Sequence, residues 1–295
     1  MGRVMGSTRD YKDHFYRCSD DRLDLYARIY GDCEDGIPVL MMHGLTRNSA
    51  DFENIAEILR HSHKLIIPDQ RGRGRSDYDT NQENYAPHIY VQDMFALLRS
   101  LDVEKVVLLG TSMGGLIAML MAASKPEIVK SIILNDIGPE VDQAGLVRLQ
   151  QYVGHPVRVE NWQDAAAYCQ KINAIAFPNY DTNDWTAFAK RTFIADGDGV
   201  PKLVYDPKIS EGLKGNAENA APPDLWSVWD MLSQIPILTV RGETSDILSP
   251  ATLAKMSEQH GSDFYIVEVP DIGHAPMLDE TAAVDAITAF LKRHS

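Results

Sequence analysis

A serine lies at the centre of a glycine-flanked segment, Gly110-Thr111-Ser112-Met113-Gly114, between an apolar run at 106–109 and a helix-forming stretch at 116–123. The glycines two positions before and after Ser112 remove the Cβ atoms that would clash in a sharp strand–turn–helix connection. A serine held at the tip of such a turn is typical of a nucleophile that forms a covalent intermediate. The same letters also occur in ordinary glycine-rich turns, so the hypothesis needs a base and an acid elsewhere in the chain.

A general base for this hydroxyl is predicted at His274, which follows the last predicted strand in Gly273-His274-Ala275-Pro276. Loops at the carboxyl ends of parallel strands meet at one edge of the sheet, so this imidazole can lie beside Ser112. A neutral imidazole can accept the hydroxyl proton and later return it to a leaving group. Of the other eight histidines, seven lie at predicted helix ends, in polar turns or away from strand ends.

The acid that would orient this imidazole is predicted at Asp246, in the loop after the strand that ends at Val240. The resulting chain order, serine then aspartate then histidine, is that of hydrolases with a serine at a strand–turn–helix elbow. Asp136, which follows the strand at 131–134, is the alternative, although it could simply turn the chain into the next segment. Glu243 is a weaker alternative.

Backbone amides are predicted to stabilise the negative charge that acyl transfer places on a carbonyl oxygen. One donor is the amide of Met113, the residue after the serine, and the other is the amide of Leu45, in the loop after the strand at 37–42. Gly44 permits the unusual backbone that such a loop needs. His43 is interpreted as a buried structural histidine bonded to backbone, with substrate contact as the alternative.

Further candidates for substrate contact lie near this loop and in a tryptophan-containing segment later in the chain. Arg47 and Asn48 could bind a substrate carboxylate or carbonyl, or cap the helix that follows them. Trp162 and Trp185 could line an apolar pocket above the serine, or pack inside their own segment. Together, the aromatic residues of that segment favour an apolar or aromatic acyl substrate over a sugar or a highly charged compound.

Apolar strands and amphipathic helices alternate along most of the chain, which predicts a parallel sheet covered by helices on both faces. The alternation stops near residue 138 and resumes at 235–240. The residues between, about 140–231, have helical patches and all four tryptophans, and they predict a helical insertion over the carboxyl edge of the sheet. The predicted strands are 23–30, 37–42, 64–67, 105–109, 131–134, 235–240 and 264–269, and the predicted helices are 51–59, 89–101, 116–123, 250–260 and 280–292.

Composition argues against nucleic-acid, disulfide and metal sites. With 28 basic and 42 acidic residues the net charge is −14, which disfavours nucleic acid and anionic membranes as partners. The tract at 71–75 is therefore interpreted as a loop with local salt bridges, not an RNA-binding segment. Cys18, Cys33 and Cys169 are far apart and lack a C-x-x-C pattern, and the turn at 196–199 lacks the other ligands of a calcium loop.

No apolar stretch approaches membrane-spanning length. Residues 1–6 are not followed by the apolar core of a signal peptide, and Gly6 stands where a myristoylation signal has serine or threonine. We therefore expect a cytoplasmic protein whose partner is a small-molecule substrate. The pattern of residues does not predict an oligomeric state.

Jointly, five segments resemble the α/β-hydrolase superfamily: 43–44, 69–77, 110–115, Asp246 and 273–274. The resemblance covers nearly the whole chain outside the insertion. It implies an eight-stranded, mostly parallel sheet with helices on both faces. It also implies a core of 1–138 plus 232–295 and a helical cap of 139–231.

The resemblance further implies attack by Ser112 on an acyl carbon with His274 as base. The amides of Leu45 and Met113 would hold the oxyanion, and water would clear the acyl-enzyme without a metal or cofactor. We predict a serine hydrolase of a small carboxylic ester or lactone. A serine nucleophile argues against epoxide hydrolases and haloalkane dehalogenases, which use aspartate.

Three alternatives share these residues. The first is hydrolysis of a carbon–carbon bond in a ring-cleavage product of aromatic degradation, a group that this chain resembles in its Ser-Met-Gly-Gly segment. It departs from that group in the loop 44–48, where those enzymes usually have more glycine. The second is cofactor-free perhydrolase activity. The third is a small-molecule receptor of the same fold with little turnover.

Overall fold

A computed structural model describes residues 10–32, 36–213, 225–261 and 263–295, so Cys33 and the segment 1–6 lie outside the described residues. Among the described helices, none combines the length and apolarity needed to cross a bilayer. The strands are Tyr11–Arg17 (β1), Asp24–Tyr30 (β2), Val39–Met42 (β3), Leu65–Asp69 (β4), Val106–Thr111 (β5), Val129–Asn135 (β6), Phe193–Ala195 (β7), Pro201–Leu203 (β8), Ile237–Gly242 (β9) and Phe264–Val269 (β10). The α-helices are Glu53–Leu59 (α1), Pro87–Ser100 (α2), Met113–Ser124 (α3), Gln143–Gln150 (α4), Trp162–Asn173 (α5), Thr182–Thr192 (α6), Trp226–Met231 (α7), Pro250–Gln259 (α8) and Thr281–His294 (α9).

Eight strands form one sheet in the order β1-β2-β4-β3-β5-β6-β9-β10. Strand β2 runs antiparallel to both β1 and β4, and the other neighbouring strands are parallel. All four residues of β3 are buried, with Leu40 and Met42 in one apolar cluster and Val39 and Met41 in the other. A central strand covered on both faces requires such a continuous apolar run. The predicted mostly parallel sheet with helices is confirmed.

Two elements differ from the sequence prediction. Strand β1 was not predicted because its sequence, YKDHFYR, is largely polar, and only Tyr16 is buried in it. An edge strand can tolerate this composition, since it packs against fewer neighbours. The segment between β6 and β9 is also not purely helical, because β7 and β8 pair in it as an antiparallel ribbon. The polar turn predicted at 196–199 joins these two strands, and Asp196 accepts hydrogen bonds from the amides of Asp198 and Val200.

The tract 71–75 is part of the scaffold behind the carboxyl edge of the sheet. Arg71 is 1 % exposed and forms ion pairs of 2.7 Å with Asp79 and with Asp93, both of which have fully buried side chains. Asp69 accepts hydrogen bonds from the amides of Ser49 and Arg75. These contacts confirm the interpretation of the tract as a loop with local salt bridges.

Replacing Arg71 with leucine is expected to lower the free energy of unfolding by about 3–5 kcal/mol, because two buried carboxylates would lose their closest cation and Asp79 would keep only Arg22, at 3.5 Å. Urea denaturation followed by circular dichroism measures this change. Arg17→Leu is the control, since Arg17 pairs with Asp24 at a site where both side chains are about half exposed. Such surface pairs contribute about 0–1 kcal/mol, so equal losses in the two variants would contradict the prediction.

Candidate active site

Ser112 lies between β5 and α3 with φ of 52° and ψ of −116°, a conformation that is strained for a residue with a side chain. A Cβ atom at Gly110 would lie 2.2 Å from the Gly114 carbonyl oxygen, and one at Gly114 would lie 2.0 Å from the Met42 carbonyl oxygen. Only glycine fits at either position. The Ser112 amide donates to the Asn135 carbonyl at 2.9 Å, which fixes the turn against β6.

His274 meets Ser112 at the carboxyl edge of the sheet, as the sequence predicts. Its Nε2 lies 2.9 Å from Ser112 Oγ, and its Nδ1 lies 2.7 Å from Asp136 Oδ2. A proton on Nδ1 satisfies the carboxylate and leaves Nε2 able to accept the proton of the serine hydroxyl. The side chain of His274 is only 8 % exposed, so water competes little with these bonds.

Asp136, the alternative acid, occupies the position beside the imidazole. Its side chain is fully buried, and its Oδ1 accepts a hydrogen bond of 2.9 Å from the Gly242 amide. Its Oδ2 accepts one of 2.6 Å from Ser245 Oγ, besides its contact with His274. The Asp136 amide donates to the Val240 carbonyl at 2.7 Å, so the adjacent strand β9 holds this residue at the sheet edge.

The prediction that Asp246 orients His274 is wrong. Its carboxylate instead accepts two hydrogen bonds from Arg148 of α4, at 2.6 Å from Nε and 2.8 Å from Nη2. Burial opposes ionisation of Asp246, but these bonds and the charge of Arg148 hold its pKa below the ordinary value. Asp246 lies in the loop after β9, where Arg148 of α4, a helix that precedes β9 in the chain, binds its carboxylate.

Sequence reasoning missed two residues that support the pair of His274 and Asp136. Ser245 donates to Asp136 and accepts from the amides of Ile247 and Leu248, so it orders the loop after β9. Asn135 donates from Nδ2 to the Pro276 carbonyl at 2.8 Å and to Thr111 Oγ1 at 3.0 Å. It thereby links the histidine loop to the end of β5. A polar pair, asparagine and aspartate, at the end of an apolar strand was the available signal.

His43 holds the loop that contains Leu45, as predicted for a buried histidine bonded to backbone. The Gln70 amide donates to its Nε2 at 3.0 Å, so the ring proton is on Nδ1 and is donated to the Gly44 carbonyl at 2.7 Å. Burial lowers the pKa of His43 to about 4, which keeps the ring neutral. The Gly44 carbonyl and the Leu45 amide belong to one trans peptide and point in opposite directions. His43 therefore orients the Leu45 amide, and it makes no contact with the cavity.

Leu45 lines a cavity together with Ser112 and His274. Met113 is the first residue of α3, where amides have no partner within the helix. In the part of the chain that the structure describes, neither the Leu45 amide nor the Met113 amide donates to a protein acceptor. Both amides are thus available to a substrate oxygen, and their role as the oxyanion hole stays a prediction.

The cavity surface is mostly apolar, but the side chains that line it, from both the core and the segment between β6 and β9, include about as many polar residues as apolar ones. Of the predicted substrate contacts, Arg47 lines it. The apolar lining residues are Leu45, Phe52, Leu149, Val153, Ile172, Phe177, Phe188, Leu203, Ala275, Pro276, Met277 and Leu278. The polar ones besides Arg47, Ser112 and His274 are Thr46, Asp51, Thr111, Tyr152, Tyr168, Cys169, Asn173, Thr192 and Tyr205.

The other predicted substrate contacts lie outside the described cavity lining. Asn48 accepts from the Ala50 amide at 2.9 Å and caps the short helix that follows, as its alternative interpretation predicts. Trp185 is 3 % exposed and packs in an aromatic cluster with Phe177, Tyr180 and Phe188. Trp162 is half-buried at the start of α5. Trp185 thus supports its own segment.

The described residues contain no cluster of metal-ligating side chains. Among them, no group of three or more histidine, cysteine, aspartate or glutamate side chains is placed to hold a metal ion. Cys18 and Cys169 are free and buried. Burial raises the pKa of the Cys169 thiol to about 11, so this cavity residue is an uncharged thiol at neutral pH.

Comparisons with known proteins agree with this architecture. The sequence profile of the alpha/beta hydrolase fold matches residues 37–281. This chain belongs to the α/β-hydrolase family. It is similar to the 3-hydroxybutyrate-oligomer hydrolase of Cupriavidus necator, with 34 % identity over 88 % of this chain and 90 % of that protein. It is also similar to the 2-(acetamidomethylene)succinate hydrolase of Mesorhizobium japonicum, with 29 % identity over 95 % and 96 % of the two chains.

A solved structure of an α/β-hydrolase from Novosphingobium aromaticivorans superposes with a TM-score of 0.90 and 40 % identity. The match covers 96 % of this chain and 99 % of that one. Similarity to named hydrolases over most of the chain shows that this α/β-hydrolase is an enzyme that acts on ester or carbon–carbon bonds.

Proposed function

We propose that this α/β-hydrolase cleaves small carboxylic esters through an acyl-enzyme on Ser112. The observation that carries the proposal is the continuous chain from Ser112 Oγ to His274 Nε2, at 2.9 Å, and from His274 Nδ1 to Asp136 Oδ2, at 2.7 Å. This geometry allows the imidazole to take the hydroxyl proton during attack on the acyl carbon. His274 then returns that proton to the leaving alcohol.

The carbonyl oxygen becomes negatively charged when the serine adds to the acyl carbon. In the proposed mechanism the amides of Leu45 and Met113 donate to it, and they need no reorganisation because neighbouring groups already hold the loop and the helix start. Asp136 stabilises the imidazolium that forms on His274. Water then attacks the acyl-enzyme with the same imidazole as base, which releases the acid and restores Ser112.

We further propose that the substrate is a short ester that carries a free carboxylate, such as a 3-hydroxybutyrate oligomer. The name of the Cupriavidus relative supports this class of substrate. The mostly apolar cavity suits a short aliphatic chain, and Arg47 is the one arginine or lysine side chain among its described lining residues. Arg47 donates three of its five N–H groups to Asp51 and Thr192, which leaves two for a substrate carboxylate.

A panel of substrates tests this function. We expect kcat/KM for the linear dimer of 3-hydroxybutyrate to exceed that of its methyl ester at least about tenfold, the scale of one charge-assisted hydrogen bond. Arg47→Met should remove this preference by raising KM for the acid. Arg191→Met is the control, since Arg191 also lies over Phe188 but outside the described cavity lining.

Each other outcome of the panel contradicts part of the proposal. Equal kcat/KM for the acid and its methyl ester would exclude recognition of a carboxylate. Turnover of a vinylogous ring-fission diketone with no ester turnover would make the enzyme a carbon–carbon bond hydrolase. Tight binding of every compound with a single slow turnover would indicate a receptor-like protein instead.

A further inference from the structure

Arg73 is a buried cation with no carboxylate at ion-pair distance in the described part of the chain. Its relative exposure is 0 %. The other two arginines of the same tract do have acidic partners, Arg71 with two aspartates and Arg75 with Asp13. Burying a charge without a counter-ion is costly, so the retention of this one requires a physical explanation.

The guanidinium of Arg73 contacts both residues whose amides are proposed to bind the oxyanion. Its Nε donates to the Leu45 carbonyl oxygen at 2.9 Å, and its Nη2 lies 3.7 Å from Met113 Sδ. Its Nη1 donates to the Arg71 carbonyl and to the Tyr90 hydroxyl, each at 2.8 Å. The side chain therefore bridges the loop after β3 and the start of α3.

The backbone on both sides of Arg73 is fixed as well. The Gly74 amide donates to the Val204 carbonyl at 2.7 Å, and the Asp206 amide donates to the Gly72 carbonyl at 2.8 Å. Gly72 and Gly74 have φ of 75° and 56°, in the left-handed region that favours glycine. The tract thus holds the guanidinium in one place behind the cavity wall.

We infer that Arg73 is a positioning residue for the oxyanion hole and that its charge favours the oxyanion electrostatically. Its bond to the Leu45 carbonyl fixes the peptide next to the donating amide. Its positive charge, which has no carboxylate at ion-pair distance among the described residues, acts through a buried region, where charges interact more strongly than in water. This inference rests on the proposed serine mechanism.

The test compares Arg73→Met, Arg73→Lys and the wild-type enzyme with p-nitrophenyl butyrate and with butylboronic acid. A boronic acid adds to a serine and forms a tetrahedral anion, so its inhibition constant reports on stabilisation of the oxyanion. For Arg73→Met we expect kcat to fall about 30- to 100-fold, less than the about 10²–10³-fold loss of a direct donor. KM should stay nearly constant, and the boronate inhibition constant should rise in parallel with the loss in kcat.

Arg73→Lys retains the charge and should recover part of the loss in both measurements. Arg75→Met is the matched control, because Arg75 belongs to the same tract but lies at the surface. Its kcat and boronate affinity should equal those of the wild type. If Arg73→Met does not fold by circular dichroism, Arg73→Lys decides, with an expected loss of about tenfold because it cannot reproduce the guanidinium contacts.

The inference is overturned if folded Arg73→Met keeps the wild-type kcat. It is also overturned if kcat falls while boronate affinity does not, or if Arg73→Lys, as the deciding variant, matches the wild type in both. The proposed function fails separately, when Ser112→Ala retains turnover, and the role of Arg73 then fails with it. An inactive Ser112→Ala with a fully active Arg73→Met would reject only the role of Arg73.

Discussion

Replacing Asp136 with asparagine is expected to lower kcat for ester hydrolysis about 10⁴-fold, the size of the effect when another serine hydrolase loses the same carboxylate. The amide can donate to His274 Nδ1 and leave the proton on Nε2, where it blocks acceptance of the Ser112 proton. The amide also cannot stabilise the imidazolium. Steady-state kinetics with p-nitrophenyl butyrate measure the loss, with circular dichroism to show that the variant is folded.

The matched control is Asp246→Asn. Asp246 pairs with Arg148 and makes no hydrogen bond to the imidazole, so we expect kcat to change only a few-fold. Its side chain is 29 % exposed, which further limits its electrostatic effect on His274. A larger loss of kcat in Asp246→Asn than in Asp136→Asn would contradict the assignment of the orienting acid.

Ser112→Ala is expected to lower kcat about 10⁶-fold, as loss of the nucleophile does in another serine hydrolase. The side chain of alanine offers no oxygen to attack the acyl carbon, while the turn keeps its backbone. A fluorophosphonate probe provides a second measurement, because it should label the wild-type enzyme at Ser112 and leave the variant unlabelled. Peptide mapping by mass spectrometry identifies the labelled site.

Ser124→Ala controls for general effects on α3, the helix that follows Ser112. Ser124 Oγ donates to the Leu120 carbonyl at the far end of α3, so this variant should keep both turnover and labelling. Labelling of the wild type at a residue other than Ser112 would contradict the proposed nucleophile. Retained turnover in purified Ser112→Ala would contradict it as well.

Much of the site follows from local sequence. A Cβ at Gly110 would clash with Gly114, four positions away, so part of the turn at Ser112 has a local sequence signature. The glycine at 114 is required by Met42, which lies on another strand. The location of His274 was predicted from a second local feature, its place in the loop after the last strand. Both side chains emerge at the carboxyl edge of a parallel sheet, and the alternation of strands and helices predicts that sheet. The edge strand β1 and the ribbon of β7 and β8 were not predicted, because their residues lack a strong apolar pattern.

Which carboxylate contacts His274 depended on tertiary structure. Asp136 and Asp246 both follow strands, and those strands, β6 and β9, are neighbours in the sheet. The order serine, aspartate, histidine fits both carboxylates, so it could not separate them. In the folded chain Arg148, nearly a hundred positions before Asp246, binds the Asp246 carboxylate. Which of two nearby carboxylates meets an imidazole is decided by partners that are distant in sequence.

The same distinction applies elsewhere in this protein. Features that depend on nearby residues could be predicted from the sequence, whereas contacts between distant segments were decided by the tertiary structure. Residue types and spacing determined the α/β architecture, the nucleophile turn and its histidine, because those depend on contacts within a few positions or on strand order. Only the folded chain showed that Arg73 lies behind Leu45 and Met113, or that Trp185 supports its own segment. Such contacts join segments far apart in sequence, and local pattern carries no information about which of them will meet.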